Sequence, residues 1–132
     1  VDAALYGYRT QYFCAPGHMI LGGTFQFQTA AENQRTVYEH YLQRRKEHQP
    51  QGNCCGSVFK NPPGQHAGQL IEACGLKGAR HGDAVISPKH ANFFMNEGNA
   101  SFDDILALIE LAKCAVRERF GIELEEEVRI IR

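Results

Sequence analysis

The sequence predicts an α+β domain, a small mixed sheet packed with three helices. Three observations carry this. A long apolar stripe with a helical period follows a capping signal at Ser101. Short apolar runs at residues 84–86 and 93–95 have strand length and lie between helical segments. Two stretches, 24–28 and 122–131, alternate apolar and polar residues as half-buried strands do. Helices mixed with non-adjacent strands are the pattern of the α+β class.

Taken in chain order, Met19-Ile20-Leu21 leads into the alternating Thr24-Phe25-Gln26-Phe27-Gln28, which reads as a strand with a bulge at Gly22-Gly23. Residues 31–47 are rich in helix formers, with Val37, Tyr38, Tyr41 and Leu42 on one stripe. The rest of that helix carries Arg35, Arg44, Arg45, Lys46 and Glu47. This is either a solvated face, the simpler reading, or a patch that touches an anion.

Pro50, Pro62 and Pro63 exclude a long regular element between them. Ser57-Val58-Phe59 has room for a very short strand. A helix is expected over 66–74, where Ala67, Leu70 and Ile71 share a face and Gly75 is placed to end it. A turn at 96–99 precedes the clearest element. There Ser101-Phe102-Asp103-Asp104 forms a capping box, with two acids in the first turn. Ile105, Leu108, Ile109, Ala112, Ala115, Val116 and Phe120 then trace the buried face, and Gly121 terminates the helix. The closing strand, 122–131, puts Glu127 and Arg129 on one face.

The chain has 132 residues, 43% of them hydrophobic and 22% charged, and a net charge of -1. That length suits one domain with part of another. The charge balance provides no global field for nucleic acid or an acidic membrane. No apolar run reaches the roughly 20 residues that span a bilayer. Val1-Asp2-Ala3-Ala4 has no basic region or signal-type apolar core, so the cytoplasm is the expected compartment. The five cysteines, Cys14, Cys54, Cys55, Cys74 and Cys114, have no disulfide or zinc spacing. They are expected to be buried or half-buried thiols, and no metal is expected.

Four places could carry chemistry. Arg9 beside Tyr8 suits a carboxylate or phosphate through its planar donor fork, although a surface arginine is the simpler reading in isolation. Gly56-Ser57, with Lys60 and Asn61 nearby, is a glycine turn that could present a hydroxyl, or merely a turn serine. It lacks the GxSxG pattern of a hydrolase elbow. Glu127 with Arg129 could organise a proton or an acidic ligand, or form a charged strand face. His90 is a polar pocket contact or a satisfied structural histidine.

Several segments together resemble the UDP-N-acetylenolpyruvoylglucosamine reductase (MurB) family. Gly7-Tyr8-Arg9-Thr10 with Phe13 is similar to its tyrosine-arginine motif. Cys55-Gly56-Ser57-Val58-Phe59-Lys60-Asn61-Pro62 is similar to its GS-F-KNP motif. Ala67-Gly68-Gln69-Leu70-Ile71-Glu72, Gly75-Leu76-Lys77-Gly78 and Ser87-Pro88-Lys89-His90-Ala91-Asn92-Phe93 resemble its AG-LIE, GLKG and S-KHA-F segments. Residues 120–129 resemble its closing FGI-LE-EVR motif. The ordered set covers nearly all of residues 7–131. With 47 residues between Arg9 and Ser57, the chain resembles the shorter subclass, which lacks an inserted tyrosine loop. Gln11, where many relatives have serine, and His81-Gly82-Asp83, where Gly-Gly is usual, depart from the pattern.

The resemblance implies a flavoenzyme of peptidoglycan synthesis. NADPH reduces FAD, and hydride then passes to the enolpyruvyl group of UDP-N-acetylglucosamine enolpyruvate, giving UDP-N-acetylmuramate. It implies that Ser57 protonates the intermediate, that Glu127 is a second catalytic acid, and that Arg9 stabilises the enolate at the substrate carboxylate. Tyr8, Asn61, His90 and Arg129 match positions that contact substrate. It implies that residues 1–30 are the tail of the second FAD-binding subdomain and 31–132 the substrate-binding domain. The chain alone is then expected to hold little FAD and turn nothing over. Two other readings compete: a non-catalytic nucleotide-sugar binding module, and a small interaction domain whose basic helix at 35–46 binds an acidic partner.

Overall fold

The computed structural model describes residues 6–12, 14, 17–29 and 33–131. Phe13 and the N-terminal residues 1–5 lie outside them. The chain divides into two compact units, Val1–Tyr38 and Glu39–Arg132.

In the first unit, β1 (Tyr6–Gly7) and β2 (Thr10–Gln11) pair antiparallel as a tight hairpin. Its loop is Tyr8-Arg9, and Arg9 sits at φ 55. That left-handed conformation costs a non-glycine residue roughly 1–2 kcal/mol. The Arg9 guanidinium lies 5.9 Å from the Tyr8 ring centroid. A side chain at Gly7 would collide with Thr10 Cγ2 at 2.7 Å.

The strand expected over 19–28 is not formed; these residues are irregular and exposed. Alternation supplies a face but no partner. A strand without one leaves its backbone groups to water, and none of the described residues pairs with this stretch. Helix α1 (Gln34–His48) forms where helix formers concentrate, yet buries no residue. Val37, Tyr38 and Tyr41 of its apolar stripe stay exposed.

The second unit holds the core. β3 (Cys54–Ser57), β4 (Arg80–His81), β5 (Ala84–Ile86) and β6 (Phe93–Asn96) form one sheet in the order β3-β6-β5-β4. Every pairing is antiparallel, so the sheet is not mixed as the sequence reading had it. For β4 and β5 the cause is local: they are joined by the two-residue loop Gly82-Asp83, which permits only a hairpin. Gly82 lies at φ 52, and a Cβ there would meet the Asp104 carboxylate at 2.6 Å. The departure at His81-Gly82-Asp83 therefore keeps the one glycine that this turn requires.

Helices α2 (Ala67–Ala73) and α3 (Phe102–Phe120) supply the helical side of the core. Ala67, Leu70 and Ile71 of α2 are buried with Leu108, Ile109, Ala112 and Val116 of α3. Ala84, Ile86 and Phe94 of the sheet complete the cluster, and Phe59 meets Phe94 edge-on at 6.1 Å. The capping box forms: Ser101 Oγ accepts from Asp104 N at 3.1 Å, and Asp104 Oδ2 accepts from Ser101 N at 2.8 Å. Gly121 closes the helix at φ 67. Gly75, at φ 75, follows α2 as expected.

The closing strand is reduced to a single antiparallel bridge, Phe59 to Glu126. Lys60 N donates to Glu125 O at 2.9 Å and Glu127 N to Val58 O at 2.8 Å. Pro62 and Pro63 follow two residues later and carry no N–H, so the pairing cannot lengthen there. Glu127 is half-buried while Arg129 is exposed. Cys54 and Cys55 are exposed rather than buried or half-buried, and Cys54, Cys55, Cys74 and Cys114 are free thiols.

Candidate functional site

The turn at Gly56-Ser57 is built by a register slip. Cys54 pairs with Met95 and Ser57 with Phe93, so β3 carries one residue more than β6 across the same interval. Such a bulge bends its strand and re-aims a side chain. Gly56 sits within it at φ 86, a conformation glycine adopts without a Cβ penalty. A Cβ at Gly56 would meet nothing within 4 Å, so the backbone beside Ser57 faces open space that a ligand can approach.

The residues after Ser57 are held from two sides. On one, Val58 N donates to Asn92 O at 2.9 Å. The Asn92 side chain accepts from Phe59 N at 2.9 Å and donates to Phe59 O at 2.8 Å. On the other, Val58 O accepts from Glu127 N. The peptide next to Ser57 is thus bonded directly to that of Glu127, joining segments 70 positions apart in sequence. Lys60 forms an ion pair with Glu125. Behind this contact, Lys113 holds Glu126 at 2.8 Å. Burial pushes the Glu126 carboxyl up, but the hydrogen bonds from Lys113 and the backbone outweigh it, and the net shift is downward. The Glu126 hydrogen bond raises Lys113 in turn.

Asn61 caps α2: its Oδ1 accepts from Ala67 N at 3.1 Å, satisfying one of the orphan donors of the first turn. His66, at the N-cap position, makes no side-chain cap. His90 lies in the loop between β5 and β6. The buried Ser87 hydroxyl organises that loop by accepting from Lys89 N and His90 N. Lys89 Nζ also donates to the Lys46 carbonyl at the end of α1. The His90 ring packs against Phe93 at 4.8 Å, and Asn92 N donates to its Nδ1 at 3.2 Å. Burial lowers its pKa from the ordinary histidine value, reinforced by Lys77 and His48 and opposed by the backbone of His90 itself and by Glu72. A Cβ on Gly68 would lie 3.0 Å from His90 Cε1, so α2 approaches the ring as closely as only glycine allows.

Asn92 thus links His90 to the residues after Ser57, Glu127 is bonded to Val58 through its own N–H, and Asn61 caps α2 in the same unit. Arg129 is two residues beyond Glu127. Tyr8 and Arg9 belong to the first unit. By sequence, Asn92, Ser87 and Gly68 stand out only as members of the matched segments, with no role assigned to them. The available signal was polar: Ser87 and Asn92 flank an apolar run, and a buried polar side chain there must be hydrogen-bonded. Among the described residues no cluster of three or more His, Cys, Asp or Glu side chains could hold a metal, and no helix is long and apolar enough to cross a membrane.

A helix-backed antiparallel sheet whose edge strand carries a bulged serine beside a docked carboxylate segment is a domain of the α+β class. The family model for the C-terminal domain of UDP-N-acetylenolpyruvoylglucosamine reductase matches residues 48–131. A protein of that name from Chloroflexus aggregans is 48% identical over 132 aligned positions, covering 96% of this chain and 44% of the relative. One from Chloroherpeton thalassium is 58% identical over 97, covering 68% and 31%. The crystal structure of the reductase (MurB) from Thermus caldophilus matches with a TM-score of 0.60 at 41% identity, over 71% of this chain and 33% of that one. The chain belongs to the UDP-N-acetylenolpyruvoylglucosamine reductase family and carries its C-terminal domain. It spans less than half the length of these relatives.

Proposed function

We propose that this chain is the C-terminal, substrate-binding part of a cytoplasmic reductase that converts UDP-N-acetylglucosamine enolpyruvate to UDP-N-acetylmuramate for peptidoglycan synthesis. NADPH and FAD serve the full-length enzyme, which belongs to the shorter subclass without a tyrosine loop. Residues 31–132 are the substrate domain and 1–30 the end of the second flavin subdomain. The partner is the sugar nucleotide, not nucleic acid or a membrane. The 132-residue chain by itself is inactive and holds little flavin.

The observation that most supports this reading is the Glu127 N to Val58 O bond, which joins the carboxylate-bearing segment to the peptide after Ser57. Reduced flavin, when bound, supplies hydride to the terminal carbon of the enolpyruvyl double bond. Negative charge then develops on the adjacent carbon and its carboxylate. Arg9 stabilises that charge, an interaction stronger in the transition state than in the ground state. The Ser57 hydroxyl delivers a proton to the adjacent carbon, and the serine oxygen regains one from its surroundings. Glu127 acts as the second acid. Tyr8, Asn61, His90 and Arg129 hold the substrate, and Asn61 does so from a position fixed by its bond to α2.

The test uses the full-length, flavin-loaded protein and follows NADPH oxidation that depends on the enolpyruvyl substrate. Ser57→Ala should lose on the order of 10²-fold or more in kcat. A full-length protein that binds the sugar nucleotide without transferring hydride would move the non-catalytic binding module into first place.

A further inference from the structure

Ser87 and Asn92 are the buried polar residues among those described. Ser87 orders its own loop; Asn92 reaches further. An amide inside an apolar run is costly to bury unless every polar atom is used. Here the side chain occupies both backbone groups of Phe59, its carbonyl takes the N–H of Val58, and its own N–H goes to His90 Nδ1. Four bonds from one residue thus converge on the two residues after Ser57 and on the ring of His90.

The fourth bond fixes a proton. A ring nitrogen that accepts from a backbone N–H carries no hydrogen, so the neutral imidazole holds its proton on Nε2. Protonating Nδ1 would set donor against donor. Phe93 on β6 packs against the ring edge-on, and α2 leaves no room for a side chain at Gly68 beside it.

We propose that Asn92 is the positioning residue of the site, locking the Ser57 turn and holding His90 as the Nε2–H tautomer, so that His90 donates to an oxygen of the bound substrate. This rests on the reductase reading above. Asn92 touches no reacting atom; it acts through Ser57 and His90. A leucine of similar size would fill the volume but leave both polar groups of Phe59 unbonded.

The test has two arms in the full-length, flavin-loaded protein. The first needs no variant. Nitrogen-15 NMR of the histidine rings, with His90 assigned by its loss in His90→Gln, should show Nδ1 unprotonated and Nε2 protonated. The opposite tautomer, or an averaged one, overturns the proposal. The second compares Asn92→Asp with Ser57→Ala. The aspartate keeps the shape and still accepts from Phe59 N, but offers nothing to Phe59 O. In protein that remains folded, kcat should fall about 10- to 100-fold, the scale of a misplaced group, while His90 keeps its Nε2–H signature, because the aspartate retains the main-chain N–H that bonds Nδ1. A role in folding alone would lower stability and leave kcat unchanged, which overturns the proposal. If Ser57→Ala is impaired and Asn92→Asp is not, only the positioning role falls. If Ser57→Ala turns over normally, the reductase reading falls and this proposal with it.

Discussion

Gly68→Ala sets two known effects against each other at the point where α2 meets His90. Alanine is favoured over glycine in a helix by up to about 1 kcal/mol, so the substitution alone should stabilise the protein. The new methyl, however, would lie 3.0 Å from His90 Cε1, 3.4 Å from Nδ1 and 3.6 Å from Asn92 Cβ. Carbon atoms rest at roughly 3.5–4.0 Å, so the ring must retreat by about 0.5 Å. It has little room, because Phe93 stands at 4.8 Å and Asn92 N holds Nδ1 at 3.2 Å. A retreat of that size stretches the hydrogen bond past its useful length, losing about 1 kcal/mol. The two effects cancel. Urea unfolding of the full-length protein should therefore show an unchanged midpoint at unchanged m. The KM for the sugar nucleotide should rise about 5-fold, the equivalent of about 1 kcal/mol of misdirected His90 contact. A midpoint raised by the whole helix-propensity gain, with KM unchanged, would mean that the ring yields freely, and the reasoning would be refuted.

Three further outcomes follow from the α3 cap and the charged groups. Ser101→Ala should remove the hydroxyl half of the α3 capping box and cost about 1 kcal/mol in urea unfolding, leaving turnover of the folded enzyme unchanged. The backbone N–H of Ser101 and then its hydroxyl, with His81, hold the Asp104 carboxyl below its ordinary value. A depressed carboxylate stabilises the fold above its unfolded pKa of about 3.9 and loses that contribution as pH falls through the lower folded value. Asp104→Asn should therefore flatten the acid limb of a stability-against-pH curve; an unaltered limb counts against the assignment. Lys113→Ala should let burial dominate at Glu126, so its carboxyl titrates higher than in wild type by carbon-13 NMR. A Glu126 titration that does not move would show that the ion pair does not hold the segment carrying Glu127.

Much of the fold could be read locally because its signals are local. Ser101, the stripe from Ile105 to Val116, and Gly121 lie within one helix, and the structure returns that helix over Phe102–Phe120. The runs at 84–86 and 93–95 became β5 and β6 because they are apolar enough to be buried on both faces. The failures share one cause. Alternation at 19–28 and 122–131 describes a face, whereas a strand is defined by its partner. Only tertiary structure could reveal that Pro62 and Pro63 limit the last pairing, or that none of the described residues pairs with 19–28.

The same distinction divides the candidate site. Gly56 and Ser57 mark a turn by residue type alone, but the bulge that aims the serine exists only in the register of β3 against β6. The partner of Asn92 is 33 positions away, and Glu127 reaches Val58 across 69. The short docking of 125–127 has a consequence for mechanism. With three main-chain bonds, from Lys60 N, Glu127 N and, at 3.4 Å, Val128 N, and the flanking Lys60–Glu125 and Lys113–Glu126 pairs, it relies on side chains where a longer strand would rely on its ladder. In the proposed reading, the position of Glu127 relative to Ser57 is set by charged groups at its rim and by Asn92 behind the turn. Substitutions at those positions should reach the chemistry without touching a ligand.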